Sequence, residues 1–112
     1  MDTSWIQPGY ESANDGDWEP FKAHLTEDYV HNIPGLGITW KGRDDAVKGV
    51  HALYDEYNLK QTAQSVSAHG TFIIVKVLMT SSLREGTQEV VHVYRTDADK
   101  IAEVWALAPP AA

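Results

Sequence analysis

Tyr29-Val30-His31-Asn32-Ile33-Pro34-Gly35, followed by Ile38-Thr39-Trp40 and then Arg43 to Tyr57, decides the fold, because the hydrophobic period changes twice within it. Tyr29, His31 and Ile33 alternate with Val30 and Asn32, which is strand spacing, and Pro34-Gly35 closes the run. Ile38-Thr39-Trp40 reads as a second short strand before a turn at Lys41-Gly42. From Arg43 onward Ala46, Val47, Val50, Leu53, Tyr54 and Tyr57 recur at helical spacing, so one helix face is apolar. A strand pair therefore leads straight into an amphipathic helix.

Downstream, four strand-like runs follow: Leu59–Ala68, Thr71–Ser82, Gln88–Thr96 and Lys100–Leu107. Their connections, His69-Gly70, Arg84-Glu85-Gly86 and Asp97-Ala98-Asp99, are short and turn-like, so the runs pair antiparallel. Upstream, a helix through Tyr10 and Ala13 ends at Asn14-Asp15-Gly16. Asp17 then caps a second helix whose stripe is Trp18, Phe21 and Leu25. The order predicts an α+β domain over residues 1–112, with three helices on one face of a curved, mostly antiparallel sheet. Residues 108–112, Ala-Pro-Pro-Ala-Ala, read as a frayed tail, since proline cannot join a ladder.

Composition narrows the function classes. The 112 residues are 43% hydrophobic and 22% charged, which is a globular balance, and cysteine is absent. That excludes disulfide frameworks, thiolate metal sites and cysteine nucleophiles together. The net charge is −7, concentrated early: residues 1–28 hold seven acids against Lys22 alone. Such a surface repels phosphate backbones, so no nucleic-acid partner is expected. Neither a secretory leader nor a membrane span is legible, and the expected setting is cytoplasmic.

Strand parity selects candidate site residues. Val90, His92 and Tyr94 share one face, and Glu89, Val91, Val93 and Arg95 the other, whose charged ends suit solvent or a partner. Tyr29, His31 and Ile33 share a face in their own strand. A neutral imidazole, titrating near 6.5 when unperturbed, can give or take a proton at cellular pH. His92 and His31 are thus the candidate acid–base pair, with Tyr10 or Tyr54 donating a hydrogen bond to an enolate oxygen. Trp40, Val50, His51, Tyr54 and Val104 complete the candidate lining for substrate. The histidines lack metal-site spacing, and no metal or cofactor is expected. His24 reads as exposed and His69 as a turn residue.

Four local words add a family resemblance across residues 10–107. Gly16-Asp17-Trp18, Leu25 to Gly35, Gly42-Arg43-Asp44-Asp45-Ala46-Val47, and Glu89 to Arg95 with Lys100 to Trp105 resemble the SnoaL-like polyketide cyclases. These belong to the nuclear transport factor 2-like superfamily, with ketosteroid isomerase. The resemblance implies a cone-shaped cavity between sheet and helices, with the residue before Pro34 pointing into it. Ketosteroid isomerases carry a carboxylate base at the position of Ile33 and a protonated acid at that of His92. Their tyrosine falls on Gly9, beside Tyr10, so steroid isomerisation by the same groups is not expected. Two readings stay open. One is proton transfer on a small hydrophobic carbonyl compound, a cyclisation or isomerisation. The other is a non-catalytic small-ligand or dimerisation domain.

The last expectation is a homodimer through the convex sheet face, carried by Val91, Val93, Ile101, Trp105 and Leu107. The neighbouring run would add either Ile73, Val75 and Val77 or Phe72, Ile74 and Leu78, being apolar on both faces.

Overall fold

The computed structural model describes residues 1–108. Helix α1 (Ile6–Asn14) and the single turn α2 (Glu19–Lys22) precede β1 (Leu25–Ile33) and β2 (Ile38–Lys41). Helix α3 (Arg43–Tyr57) leads into β3 (Lys60–His69), β4 (Phe72–Ser81), β5 (Arg84–Asp97) and β6 (Lys100–Leu107). All six strands form one sheet in the order β2-β1-β6-β5-β4-β3. Every pairing is antiparallel except β1 with β6, where the chain returns to the sheet's centre in parallel. The core lies between the sheet and the helices, with Ile6, Ile73, Val75, Val77, Ile101 and Val104 almost wholly buried.

The helix α3 and strand β6 boundaries are those read from the sequence. Asp44 and Asp45 occupy the first turn of α3, where acids favour the helix dipole. Pro8 and Gly9 sit inside α1. Pro8 falls in the first turn, where the missing N–H has no helical acceptor to lose. Gly9 is buried because Phe21 and Trp5 press on it: a Cβ there would lie 3.3 Å from Phe21 Cε2. Of the two strips offered by β4, Ile73, Val75 and Val77 face inward, and Phe72, Ile74 and Leu78 outward.

Three expectations are corrected. The second helix stops after one turn, because His24 Nδ1 bonds the Pro20 carbonyl (2.7 Å) and Leu25 is already pairing with Ile101. His24 itself is not exposed: its ring stacks on Trp5 at 4.0 Å. The turn between β4 and β5 is Ser82-Leu83, and Arg84-Glu85-Gly86 belongs to the strand. Gly86, at φ 79°, takes up the register shift that this creates against Met79–Ser81.

Ile101 does not join the convex face. Arg95 pairs with Glu103 but Thr96 with Ile101, so Ala102 is an extra residue in β6. This bulge reverses the parity, and Ile101 turns into the core with 0% exposure. Glu103 remains outside and pairs with Arg95 at 3.3 Å. The expected frayed tail lies outside the described residues, save Ala108.

Gly49 in α3 sets the approach of β2. A Cβ at this position would come within 2.5–2.8 Å of the Trp40 indole. Gly49→Ala is therefore expected to destabilise by about 1–3 kcal/mol through overpacking, despite alanine's better helix propensity. Equilibrium urea unfolding checks this, and an unchanged or raised midpoint would contradict the packing.

Candidate active site

Alternation along β1 and β5 and the inner face of α1 aim a set of aromatic and imidazole groups at one interior space. The cavity holds about 40 Å³ and is lined by Tyr10, Tyr29, His31, Val50, Tyr54, His92 and Tyr94, joined by Trp18, Phe21, Leu25, Ala46, Val47 and Gln61. His92 and His31 therefore face a common space, as strand parity requires. Tyr10 reaches it from α1 because Gly9, one residue earlier, is packed under Phe21. The ring of Tyr10 stands edge-on to Phe21 at 5.2 Å, which fixes its hydroxyl over the sheet.

The polar groups form two short chains. Tyr10 Oη lies 2.5 Å from His92 Nδ1 and 2.5 Å from Tyr94 Oη. Tyr29 Oη lies 2.8 Å from His31 Nδ1. Among the described residues Nε2 of each ring and the Tyr54 hydroxyl have no hydrogen-bond partner. Among the described residues no carboxylate lines the cavity.

Burial governs the titration of these groups. It pushes His92 from 6.5 down to about 4. His31 falls to about 3, first through burial and then through the nearby His92. The phenols move the other way: burial holds Tyr10, Tyr29, Tyr54 and Tyr94 above their usual range, with Tyr94 further raising the other three. The expectation of an imidazole titrating near 6.5 is thus replaced by rings that stay neutral well into acid. Both imidazolium and phenolate are disfavoured here.

This has a stability consequence. Between about pH 6.5 and 4 an unfolded His92 binds a proton that the folded ring refuses. The unfolded state then holds more protons, so stability falls as pH drops through that window. Denaturant midpoints should decline from pH 7 to pH 5, and His92→Gln should flatten the decline. Equal slopes in the two proteins would contradict the buried neutral ring.

Five expected lining residues lie elsewhere. Ile33 shares the face of His31 but ends its strand at the rim, paired with Ile38 and partly exposed. Trp40 lies over Gly49, behind His31 at 5.8 Å between ring centroids. Val90 and Val104 are buried in the core beside the site, against Val77 and between His31 and Tyr94 in the sheet. His51 turns outward from α3, toward Asp55 (3.6 Å) and Trp18 (6.0 Å). Gln61 was not anticipated. It is a polar residue on the inner face of β3, 8% exposed, and the pairing of Gln61 with Ala63 at alternate positions carried that signal. His69 is spent on Ser67 at 2.6 Å, outside the site. Among the described residues no group of three or more His, Asp or Glu could hold a metal ion.

Comparison with known proteins follows the same geometry. A SnoaL-like domain profile matches residues 7–104. A candidate ketosteroid isomerase from Kribbella flavida superposes with a TM-score of 0.80 at 21% identity, covering 97% of this chain and 78% of that one. A candidate polyketide cyclase from Sinorhizobium meliloti gives 0.80 at 10% identity, covering 94% of each chain. A hypothetical protein with a ketosteroid isomerase-like fold from Catenulispora acidiphila, in complex with trimethylamine, gives 0.69 at 14% identity, covering 95% of this chain and 85% of that one. No protein of curated function matches the sequence. At these identities the solved structures speak for the fold, and the profile for the family. The four sequence words, the six-stranded, mostly antiparallel sheet with its helices and the matched profile agree: this chain belongs to the SnoaL-like domain family, within the nuclear transport factor 2-like fold.

Proposed function

We propose that the cavity catalyses cofactor-independent keto–enol proton transfer on a small enolisable carbonyl compound, the step underlying an isomerisation or an aldol-type cyclisation. The observation that carries this reading is Tyr10 Oη, within 2.5 Å of both His92 Nδ1 and Tyr94 Oη in an apolar enclosure. Such a chain has two proton arrangements. In one, His92 Nδ1–H donates to Tyr10, Tyr10 to Tyr94, and Tyr94 to the carbonyl oxygen, leaving Nε2 free to accept.

In the proposed step Nε2 takes the α-proton as the C–H bond breaks. The Nδ1 proton passes to Tyr10, the Tyr10 proton to Tyr94, and the Tyr94 proton to the carbonyl oxygen, giving the enol. His92 ends as the Nε2–H tautomer and no group becomes charged. That suits a site where burial lowers histidine and raises tyrosine. Tyr54, and His31 held by Tyr29, supply further donors for the oxygen.

A second reading is a non-catalytic binding domain. The absence of a carboxylate base among the described lining residues favours it, and about 40 Å³, far below the roughly 300–1,000 Å³ of typical ligand pockets, restricts both readings to a small ligand. A small molecule fits either reading, and the neighbour in complex with trimethylamine is in keeping with that. Incubating the protein with small methyl ketones in D2O separates them. Accelerated α-proton exchange, followed by NMR, supports catalysis. Ligand line-broadening without exchange supports the binding domain. We also assign a homodimer contact to the convex face, through Val91, Val93, Trp105 and Leu107 with Phe72, Ile74 and Leu78.

A further inference from the structure

Beside the cavity lies a second space that the proton-transfer site does not use. It holds about 160 Å³ and is lined by Asn14, Gly16, His51, Tyr54, Asp55, Asn58 and Lys60, with Ala13 and Leu59. Its groups are mixed in sign and role. Asp55 accepts, Lys60 and His51 donate, and the Asn58 amide does both. Lys60 Nζ already bonds the Asn14 carbonyl (2.7 Å), and the two amide contacts between Asn14 and Gln61, 2.8 Å each, tie this wall to β3.

Tyr54 lines both spaces. Its ring forms the partition and stands edge-on, at 4.8 Å, to Trp18, which lines the inner cavity alone. The partition is not saturated. Among the described residues the Trp18 indole N–H, behind the Tyr54 ring, is buried with no partner. An unmade buried hydrogen bond is costly, so an acceptor on the ligand that reaches the Trp18 N–H gains a donor at no loss to the protein. The turn before it holds Gly16 at φ 84°, a left-handed conformation that glycine takes without strain.

We propose that the two spaces are ends of one ligand site, divided by Tyr54, and that its ligand carries a small carbonyl head and an uncharged, hydroxyl-bearing tail. The head fits the inner cavity and faces His92 and Tyr94. The tail lies among Asp55, Asn58 and Lys60, where a hydroxyl can both donate and accept. A carboxylate tail would meet Asp55 and an ammonium tail would meet Lys60, so neither charge is favoured. The assignment of the head rests on the proton-transfer reading; the shared site does not.

The test uses methyl ketones of increasing chain length and their terminal hydroxy, carboxylate and ammonium derivatives, titrated by tryptophan fluorescence. At one chain length the hydroxy ketone should bind about tenfold tighter than its parent ketone, the worth of a hydrogen bond to a charged group. Asp55→Ala and Lys60→Ala, both surface changes, should each remove that gain, so that hydroxy and parent ketones bind equally. Tyr54→Ala should admit ketones with a ring too wide for the native partition. The proposal is overturned if no derivative exceeds its parent, if a charged tail binds best, if the gain survives both substitutions, or if no ketone binds. Deuterium exchange of the parent ketones, read in parallel, keeps the two claims apart. Exchange without a tail effect leaves the relay standing alone, and a tail effect without exchange leaves only the shared site.

Discussion

Tyr10→Phe should cut α-proton exchange by about 10²-fold or more while leaving the fold intact. The substitution removes one oxygen from a buried ring and keeps its edge-on contact with Phe21. What it removes is, among the described residues, the one hydrogen-bonded link between His92 Nδ1 and the Tyr94 hydroxyl. Without it, enolisation would have to pass through an imidazolium or an unsupported enolate, and burial disfavours both. His92→Gln should fall as far, because the amide cannot exchange proton positions between two nitrogens. Tyr29→Phe, which touches only the His31 chain, should cost much less. The pH profile sets this relay apart from an ordinary histidine base. Activity should be level from about pH 5 upward through neutrality and fall only toward the His92 value of about 4. A rise centred near 6.5 would mean a solvated imidazole. Equal rates for Tyr10→Phe and the parent protein would remove the relay.

Trp105→Glu should turn a dimer into a monomer, or into an aggregate. On the convex face Ile74 pairs with Val93 and Val93 with Trp105, while Val91 pairs with Leu107, so three strands offer one apolar strip. Phe72 and Leu107 at its margins are 41% and 40% exposed. Lys76 interrupts it opposite Val91, and Glu89 with the Arg95–Glu103 pair gives a polar border. A two-fold axis would lay each strip against its copy, and a carboxylate at the centre would be buried without a partner. Light scattering of the unmodified protein at micromolar concentration should report the mass of two chains. The mass of one chain would overturn the assignment.

Much of this was legible because the sheet announces itself by alternation. Val90, His92 and Tyr94 could be sorted from Val91 and Val93 without coordinates, and so could Tyr29 and His31 from Val30. Parity fails where a bulge inserts a residue, which is why Ile101 was placed on the wrong face: nothing in Lys100-Ile101-Ala102-Glu103 marks Ala102 as the extra residue. Helical spacing failed for Leu25 because the 3-and-4 rhythm from Trp18 runs on into a strand start, and the break comes from His24 folding back on Pro20. His51 and Val50 are adjacent on α3, and a turn of 100° per residue sends one into the cavity and the other to the outer space. The Tyr10 link could not be seen at all. It joins residues 82 and 84 positions apart, and only the packing of Gly9 under Phe21 brings that hydroxyl to both partners.

The central claim is a neutral His92 whose Nδ1 is joined to Tyr10 inside the folded protein. Nitrogen NMR of the His92 ring across pH 3 to 8 tests it directly. A ring that stays neutral through pH 7 and 5, titrates near 4, and changes its nitrogen shifts at neutral pH in Tyr10→Phe is the predicted result. A ring that takes up its proton near 6.5, with shifts indifferent to Tyr10→Phe, would contradict the account.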